Sequence, residues 1–171
     1  MATLVLTVIG DDRAGLVNAL AEAVTAHGGN WERSQLAELA GKFAGIVVVG
    51  VPDERAEELV EALKPLAGLL DVAVHEGSRT EPATASGVLQ VDLIGNDHPG
   101  IVRDVSGVLT LHGISIDKLI TETRDAPMVG GRLFEAHLTA AVPAGQDLTV
   151  LQADLEKLAT EILVDISLAA S

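Results

Sequence analysis

The chain of 171 residues contains no cysteine. Disulfides, thiolate metal sites and cysteine nucleophiles are thereby excluded. Basic residues are scarce: 11 Lys and Arg stand against 25 Asp and Glu, a formal net charge of −14. They form no cluster. Nucleic-acid affinity rests on neutralising phosphates, so direct contact with DNA, RNA or an anionic membrane surface is not expected. A small anion is a different matter, because backbone dipoles can hold one locally whatever the overall charge. No apolar run approaches the roughly 18 residues of a membrane span. The opening Met1-Ala2-Thr3-Leu4-Val5-Leu6 lacks the basic n-region of a signal peptide, so a cytoplasmic protein is expected. Also missing are the phosphate loop GxxxxGKS or GxxxxGKT, the dinucleotide fingerprint GxGxxG, HExxH, and any Ser or Cys triad signature. These absences favour a binding module over an enzyme, with no cofactor and no metal.

What is present is a repeat. Ile9-Gly10-Asp11-Asp12-Arg13-Ala14-Gly15-Leu16-Val17 returns as Ile94-Gly95-Asn96-Asp97-His98-Pro99-Gly100-Ile101-Val102, an offset of 85 residues (94 − 9). The same offset carries His27-Gly28 onto His112-Gly113 and the stripe Leu16, Val17, Leu20, Ala23, Val24 onto Ile101, Val102, Val105, Val108, Leu109. Solenoid periods run to about 50 residues, so this is a duplicated domain. Domains are expected over 1–77 and 88–171. The small, polar stretch 78–87 between them reads as a linker.

Each half carries the same succession of patterns. Residues 4–9 form a short apolar run rich in β-branched side chains, which suits a buried strand. Apolar residues at 16, 17, 20, 23 and 24 follow at helical spacing, and Gly28-Gly29 ends that helix. Strands over 30–40 and 43–51 turn at Gly41-Lys42. A helix from Pro52-Asp53-Glu54 presents Leu59, Val60, Leu63 and Leu66, and residues 70–75 form the last strand. In the second half the strands are 88–94, 115–124, 133–143 and 163–168. The helices run from about His98 to His112 and along Leu148, Leu151, Leu155 and Leu158. Strand-helix-strand-strand-helix-strand is the ferredoxin-like order, an α+β fold whose antiparallel sheet carries both helices on one face. The third strand of the second half matches at an offset of 91 (134 − 43), so its hairpin has gained six residues (91 − 85) around 125–131. Insertions of this kind settle in surface loops.

The strand-to-helix loop is the strongest candidate site. A glycine-containing turn before a helix directs backbone N–H groups outward at the positive end of the helix dipole, which suits a carboxylate such as that of an amino acid. Asp12 and Asp97 are expected near the N-caps, accepting from helix N–H groups. His27 and His112 close their helices, where imidazole favours the dipole. His98 falls in the first turn of its helix, a poor place for a cation, and Arg13 stands at the matching position. No nucleophile or metal cluster accompanies His98 as a base. Trp31 and Phe43 read as core or interface anchors. Three readings remain open on the residues alone: loops that bind a ligand, loops that are only caps and turns in an interaction module, and an enzyme with a convergent acid–base pair.

At these loops the chain resembles the ACT domain, a small regulatory module of amino-acid metabolism. That family ends a strand in a D/N-x-P-G turn into a helix and opens the next strand with Gly-x-Asn or a similar turn. Asp97-His98-Pro99-Gly100-Ile101-Val102 matches, and Asp12-Arg13-Ala14-Gly15-Leu16-Val17 matches with Ala14 for proline. Gly28-Gly29-Asn30 matches the second element, and Gly113-Ile114-Ser115 has serine for asparagine. Two copies cover nearly the whole chain. Tandem pairs without a catalytic or DNA-binding domain, and the 126–134 hairpin, resemble the transcriptional-repressor group of the glycine cleavage system. The resemblance implies a small amino acid, of the glycine or serine class, bound where two modules meet. Backbone N–H groups around Asp12, Gly15 and Leu16, and around Asn96, Asp97, His98, Gly100, Ile101 and Val102, would hold its carboxylate. Asp12 or Asp97, with Asn30 or Ser115, would contact its ammonium group or side chain. It further implies a regulatory partner protein, such as a transcription factor of glycine cleavage; the acidic balance suggests that this partner, rather than the chain itself, touches DNA. Ile46-Val47-Val48-Val49 offers apolar side chains to both sheet faces, so a homo-oligomer, a dimer, is expected through the face the helices leave uncovered.

Overall fold

The computed structural model describes residues 1–78, 85–128 and 130–171. The chain divides into two compact units, Met1–Thr80 and Glu81–Ser171. Most of the stretch expected as a linker, 79–84, lies outside the described residues, and its last three residues open a strand.

In the first unit β1 (Ala2–Asp11) leads into α1 (Leu16–Ala26), β2 (Asn30–Leu39), β3 (Lys42–Val51), α2 (Ala56–Leu63) and β4 (Asp71–Glu76). The sheet order is β2-β3-β1-β4, and every neighbouring pair is antiparallel. The second unit repeats this with β5 (Ala85–Asn96), α3 (Ile101–Leu111), β6 (Ile116–Asp125), β7 (Arg132–Pro143), α4 (Leu148–Ile162) and β8 (Val164–Ala170), ordered β6-β7-β5-β8. The fold is the ferredoxin-like βαββαβ arrangement, twice.

Strand alternation explains why the helices share one face. Leu4, Leu6 and Val8 of β1 and Val47, Val49 and Val51 of β3 point one way. They close on Leu16, Leu20 and Val24 of α1 and on Leu59 and Leu63 of α2. The second core has the same plan: Leu89, Val91 and Leu93 with Leu138 and Ala140, against Ile101, Val105 and Leu109 of α3 and Leu151 and Leu155 of α4. Burying each such leucine is worth about 1.5–3 kcal/mol, and this is what docks the helices. Among the described residues of each unit, neither helix lies on the opposite face. There Ile9 and Ile46 remain 47% and 52% exposed.

The two hairpins differ as the offsets require. In the first, Leu39 pairs with Lys42 around a two-residue turn, Ala40-Gly41, with φ of 51° and 81°. Positive φ at both positions is the type I′ pattern that follows strand twist. In the second, Arg124 pairs with Leu133, and one further pair, Asp125 with Arg132, extends the ladder before the loop. Met128, on that loop, is 96% exposed. An irregularity in β2 between Trp31 and Arg33 is copied in β6 between Ile116 and Lys118, so duplication preserved register faults as well as the core pattern.

Candidate functional site

The two strand-to-helix loops are built alike. The amide of Asp12 donates to the Gly41 carbonyl at 2.9 Å, and that of Asp97 donates to the Arg132 carbonyl at 2.8 Å. Each loop is thereby pinned to the hairpin beside it. The chain then turns through a left-handed glycine, Gly15 at φ 92° or Gly100 at φ 97°. An L side chain there costs roughly 1–2 kcal/mol, which is why glycine stands in both copies. The Gly15 carbonyl accepts from Ala19 and that of Gly100 from Asp104, both at 2.9 Å, so these glycines are the N-caps.

This corrects the expectation for Asp12 and Asp97. Neither caps a helix; both lie three residues before the N-cap (15 − 12 and 100 − 97), and no side chain caps α1 or α3. The first three N–H groups of each helix have no partner inside it. In α1 these belong to Leu16, Val17 and Asn18, in α3 to Ile101, Val102 and Arg103. The side chains of Leu16 and Ile101 are each 3% exposed and belong to the core, so they reach a ligand only through the main chain. Asp12, Asn96, Asp97 and Val102 are exposed.

Asn30 and Ser115 are not brought to these loops within their own modules. Asn30 opens β2 opposite Gly50, whereas the loop is tied to the hairpin at Gly41-Lys42. Eight ladder steps (50 − 42) at about 3.4 Å each put roughly 27 Å between those ends. Ser115, just before β6, stands at the same far end of its module. His27 and His112 do close their helices as C-caps, each followed by a left-handed glycine, Gly28 at φ 70° and Gly113 at φ 69°. His27 Nδ1 lies 2.8 Å from the Ala23 carbonyl oxygen, and His112 Nε2 lies 2.7 Å from Asp154 Oδ2.

His98 also departs from its expected place. It precedes the N-cap Gly100 by two residues (100 − 98) instead of lying in the first turn of α3. Pro99 and the left-handed Gly100 keep the helix from starting sooner. Its Nε2 lies 2.9 Å from the carbonyl oxygen of Ile162, the last residue of α4. A helix C-terminus is a favourable place for a cation. Hydrogen bonds to the Ile162 and Pro99 carbonyls hold its pKa above the ordinary imidazole value, and the nearby Asp97 and Asp104 carboxylates act in the same direction. The sequence reading missed a matching contact, Arg13 Nη2 donating to the Gly68 carbonyl at 3.2 Å. Alignment of positions 13 and 98 was the available signal.

The modules differ in what else stands at the helix start. In α3, Arg103 pairs with Asp104 at 3.0 Å in the first turn. The matching α1 positions are Asn18 and Ala19, and Asn18 donates to Glu22 at 3.0 Å. An apolar cavity of about 20 Å³ lies between α3 and its sheet, lined by Ile101, Val102 and Val105 of α3, by Leu119 of β6 and by Phe134 of β7. Such a volume holds about one water, and its lining offers almost no polar partner. Among the described residues no polar or charged side chain is buried, and no cluster of His, Asp and Glu has the makings of a metal site. No helix among them is long and apolar enough to cross a membrane.

Comparison with known proteins accords with this architecture. The ACT domain family model matches residues 2–76. The chain is 30% identical over 164 residues to the glycine cleavage system transcriptional repressors of Escherichia coli (strain K12) and Shigella flexneri, covering 93% of this chain and 85% of each relative. Among solved structures, an unknown protein from Galdieria sulphuraria superposes with a TM-score of 0.89 at 29% identity, over 99% of this chain and 98% of that one. A candidate glycine cleavage system transcriptional repressor gives 0.72 at 23% identity over 99% and 97%, a likeness of fold. Repeated βαββαβ units, the paired glycine N-caps and near-complete coverage by these relatives converge: the chain belongs to the ACT-domain family, as a regulatory protein related to the glycine cleavage system transcriptional repressor.

Proposed function

We propose that this chain is a non-enzymatic sensor of a small amino acid, of the glycine or serine class, and that it passes the signal to a partner protein. The observation that carries this reading is the duplicated N-cap glycine. Each copy leaves three helix N–H groups without a partner inside the helix at the positive end of a dipole, with an exposed aspartate three residues before the N-cap. Such N–H groups suit the carboxylate of a zwitterion, and Asp12 or Asp97 suits its ammonium group. Asn30 and Ser115 enter such a site only from another module, since each lies at the far end of its own. The name of the Escherichia coli relative supports a role in transcriptional control. With 11 basic residues against 25 acidic, a partner that itself binds DNA fits better than direct contact by this chain. Binding switches the partner only if the ligand prefers one of two states.

Calorimetric titration with a panel of amino acids, glycine and serine included, tests the reading. The expected result is a saturable heat lost in Asp12→Ala or Asp97→Ala. No heat across the panel would overturn it and leave the loops as turns. We also propose that the helix-free face around Ile9 and Ile46 joins two copies of the chain. A monomer by sedimentation at micromolar concentration refutes that part.

A further inference from the structure

Positions 13 and 98 are repeat mates (98 − 13 = 85), and they make the same tie with different chemistry. Arg13 reaches the carbonyl of Gly68, and His98 reaches that of Ile162. Both carbonyls stand where the second helical segment of a module turns towards its last strand. Gly68 follows the turn of 3-10 helix Lys64–Leu66, and Ile162 ends α4. In each module the side chain therefore joins the strand-to-helix loop to a place where carbonyl groups run out of helical partners. A guanidinium keeps its charge at any pH a protein meets. An imidazole does not.

His98 is held from both sides. Nδ1 lies 3.1 Å from the Pro99 carbonyl oxygen while Nε2 lies 2.9 Å from that of Ile162. Carbonyl oxygens only accept, so both contacts are satisfied only when both ring nitrogens carry hydrogen, which is the imidazolium form. A neutral ring donates to one oxygen and turns a lone pair on the other.

We propose that His98 is a proton-operated latch on the loop between β5 and α3. Protonated, it holds both carbonyls and clasps the loop to the end of α4; neutral, it donates to only one of the two, and the tie to α4 weakens because the ring can spend its single N–H on Pro99 instead of Ile162. The Arg13 tie makes the first module's loop permanent, so only the second responds to pH. The charged groups that act on the ring are Asp97 on its own loop and Asp104 on α3, both acidic, while α4 meets it through the Ile162 carbonyl. The carbonyls and carboxylates favour the imidazolium, the partial loss of water around the ring opposes it, and Arg103 on α3 is paired with Asp104 at 3.0 Å. The latch is therefore closed below the ordinary imidazole range, about 6.5, and opens as pH rises through the higher value of the folded protein. On the reading of these loops as carboxylate sites, ligand affinity at the second module alone falls over the same pH range.

Nuclear magnetic resonance on the full chain tests the latch without any ligand. Between about pH 5 and pH 9, the range imidazoles sample, the His98 ring should titrate above the ordinary value. Backbone amides of 96–101 and 162–164 should shift with the same midpoint. In His98→Arg, which copies the first module, that midpoint should vanish from those amides. His98→Gln, a neutral donor, should remove it too. Amides that ignore the His98 midpoint, or that keep it in both variants, would overturn the proposal. These readouts need no amino acid, so failure of the latch and failure of the ligand reading are told apart.

Discussion

Gly10 closes the core-facing end of β1, opposite Phe43 and directly before the candidate loop. A Cβ at this position would stand 2.5 Å from the Leu69 carbonyl oxygen and 3.1 Å from Leu70 Cδ2. Ordinary contact begins near 3.4 Å, so in Gly10→Ala the Leu69 turn must retreat by about 0.9 Å (3.4 − 2.5). That turn is not free to do so. The amides of Leu69 and Leu70 both donate to the Leu66 carbonyl, at 2.9 and 2.8 Å, and the Leu70 side chain is fully buried. Forcing atoms into a packed site costs about 1–3 kcal/mol. Restricting the unfolded chain by replacing glycine returns about 0.4–1 kcal/mol. The net loss is about 1–2 kcal/mol, and for a unit of this size the melting point should fall by roughly 5–15 °C in differential scanning calorimetry. A Gly10→Ala protein that melts within about 2 °C of its parent would refute the argument. The repeat mate supplies a control. At Gly95 the obstacle nearest a new Cβ is Val164 Cγ1, also at 2.5 Å, a side-chain atom that alanine lacks, while Val164 Cβ and Cα at 2.9 and 3.0 Å stay in place and keep part of the cost. Trimming Val164 to alanine should therefore make the double variant G95A/V164A less damaged than the sum of the two single variants. No trimming rescues G10A, because its obstacle is a backbone oxygen. Strict additivity at the Gly95 pair would likewise count against the steric account.

Ala40 is held at φ 51° at the tip of the first hairpin, so Ala40→Gly should raise the stability of the chain by about 1 kcal/mol in urea denaturation. Asp147 accepts from the Thr149 amide at 2.9 Å as N-cap of α4, and Asp147→Ala should cost about 1 kcal/mol. Asp12→Ala and Asp97→Ala should each cost under about 0.5 kcal/mol, since neither caps a helix; equal losses at all three positions would contradict the cap assignment. His137 Nδ1 lies 2.7 Å from Asp92 Oδ1 on the helix-free face, and that contact holds its pKa above the ordinary value. The stabilisation it brings is complete below the ordinary imidazole pKa and is lost as pH rises through the raised value. Asp92→Asn should therefore flatten the decline of stability between about pH 6 and pH 9. A decline unchanged in D92N would assign it to another group.

Period-two and period-3.6 patterns record which side chains are buried, and burial drives both cores, so the order of elements was legible. Element ends were less so, because the ladder continues past its apolar residues. Apolar spacing placed the first strand at 4–9, yet β1 pairs from Ala2 to Asp11. The helix expected from about His98 begins instead at Ile101, because Pro99 and the positive φ of Gly100 delay it. Asp12 and Asp97 were read as caps because they precede helices in the chain. The main chain needs three further residues to turn, so distance along the sequence overstated closeness in space. The Asn30 reading met the same limit: a motif can join two elements that the fold holds at opposite ends of a module. The contact between His98 and Ile162 spans 64 residues, and no local period encodes it. Its trace in the sequence was comparative, a basic side chain at both 13 and 98. The second copy thus acts as an internal control. Where the copies agree, at the N-cap and C′ glycines and in the core stripes, the shared demand is the fold. Where they diverge, at Arg13 and His98, at Asn18 and Arg103 and at the hairpin, the fold tolerates both choices, and there the two modules are free to differ in function.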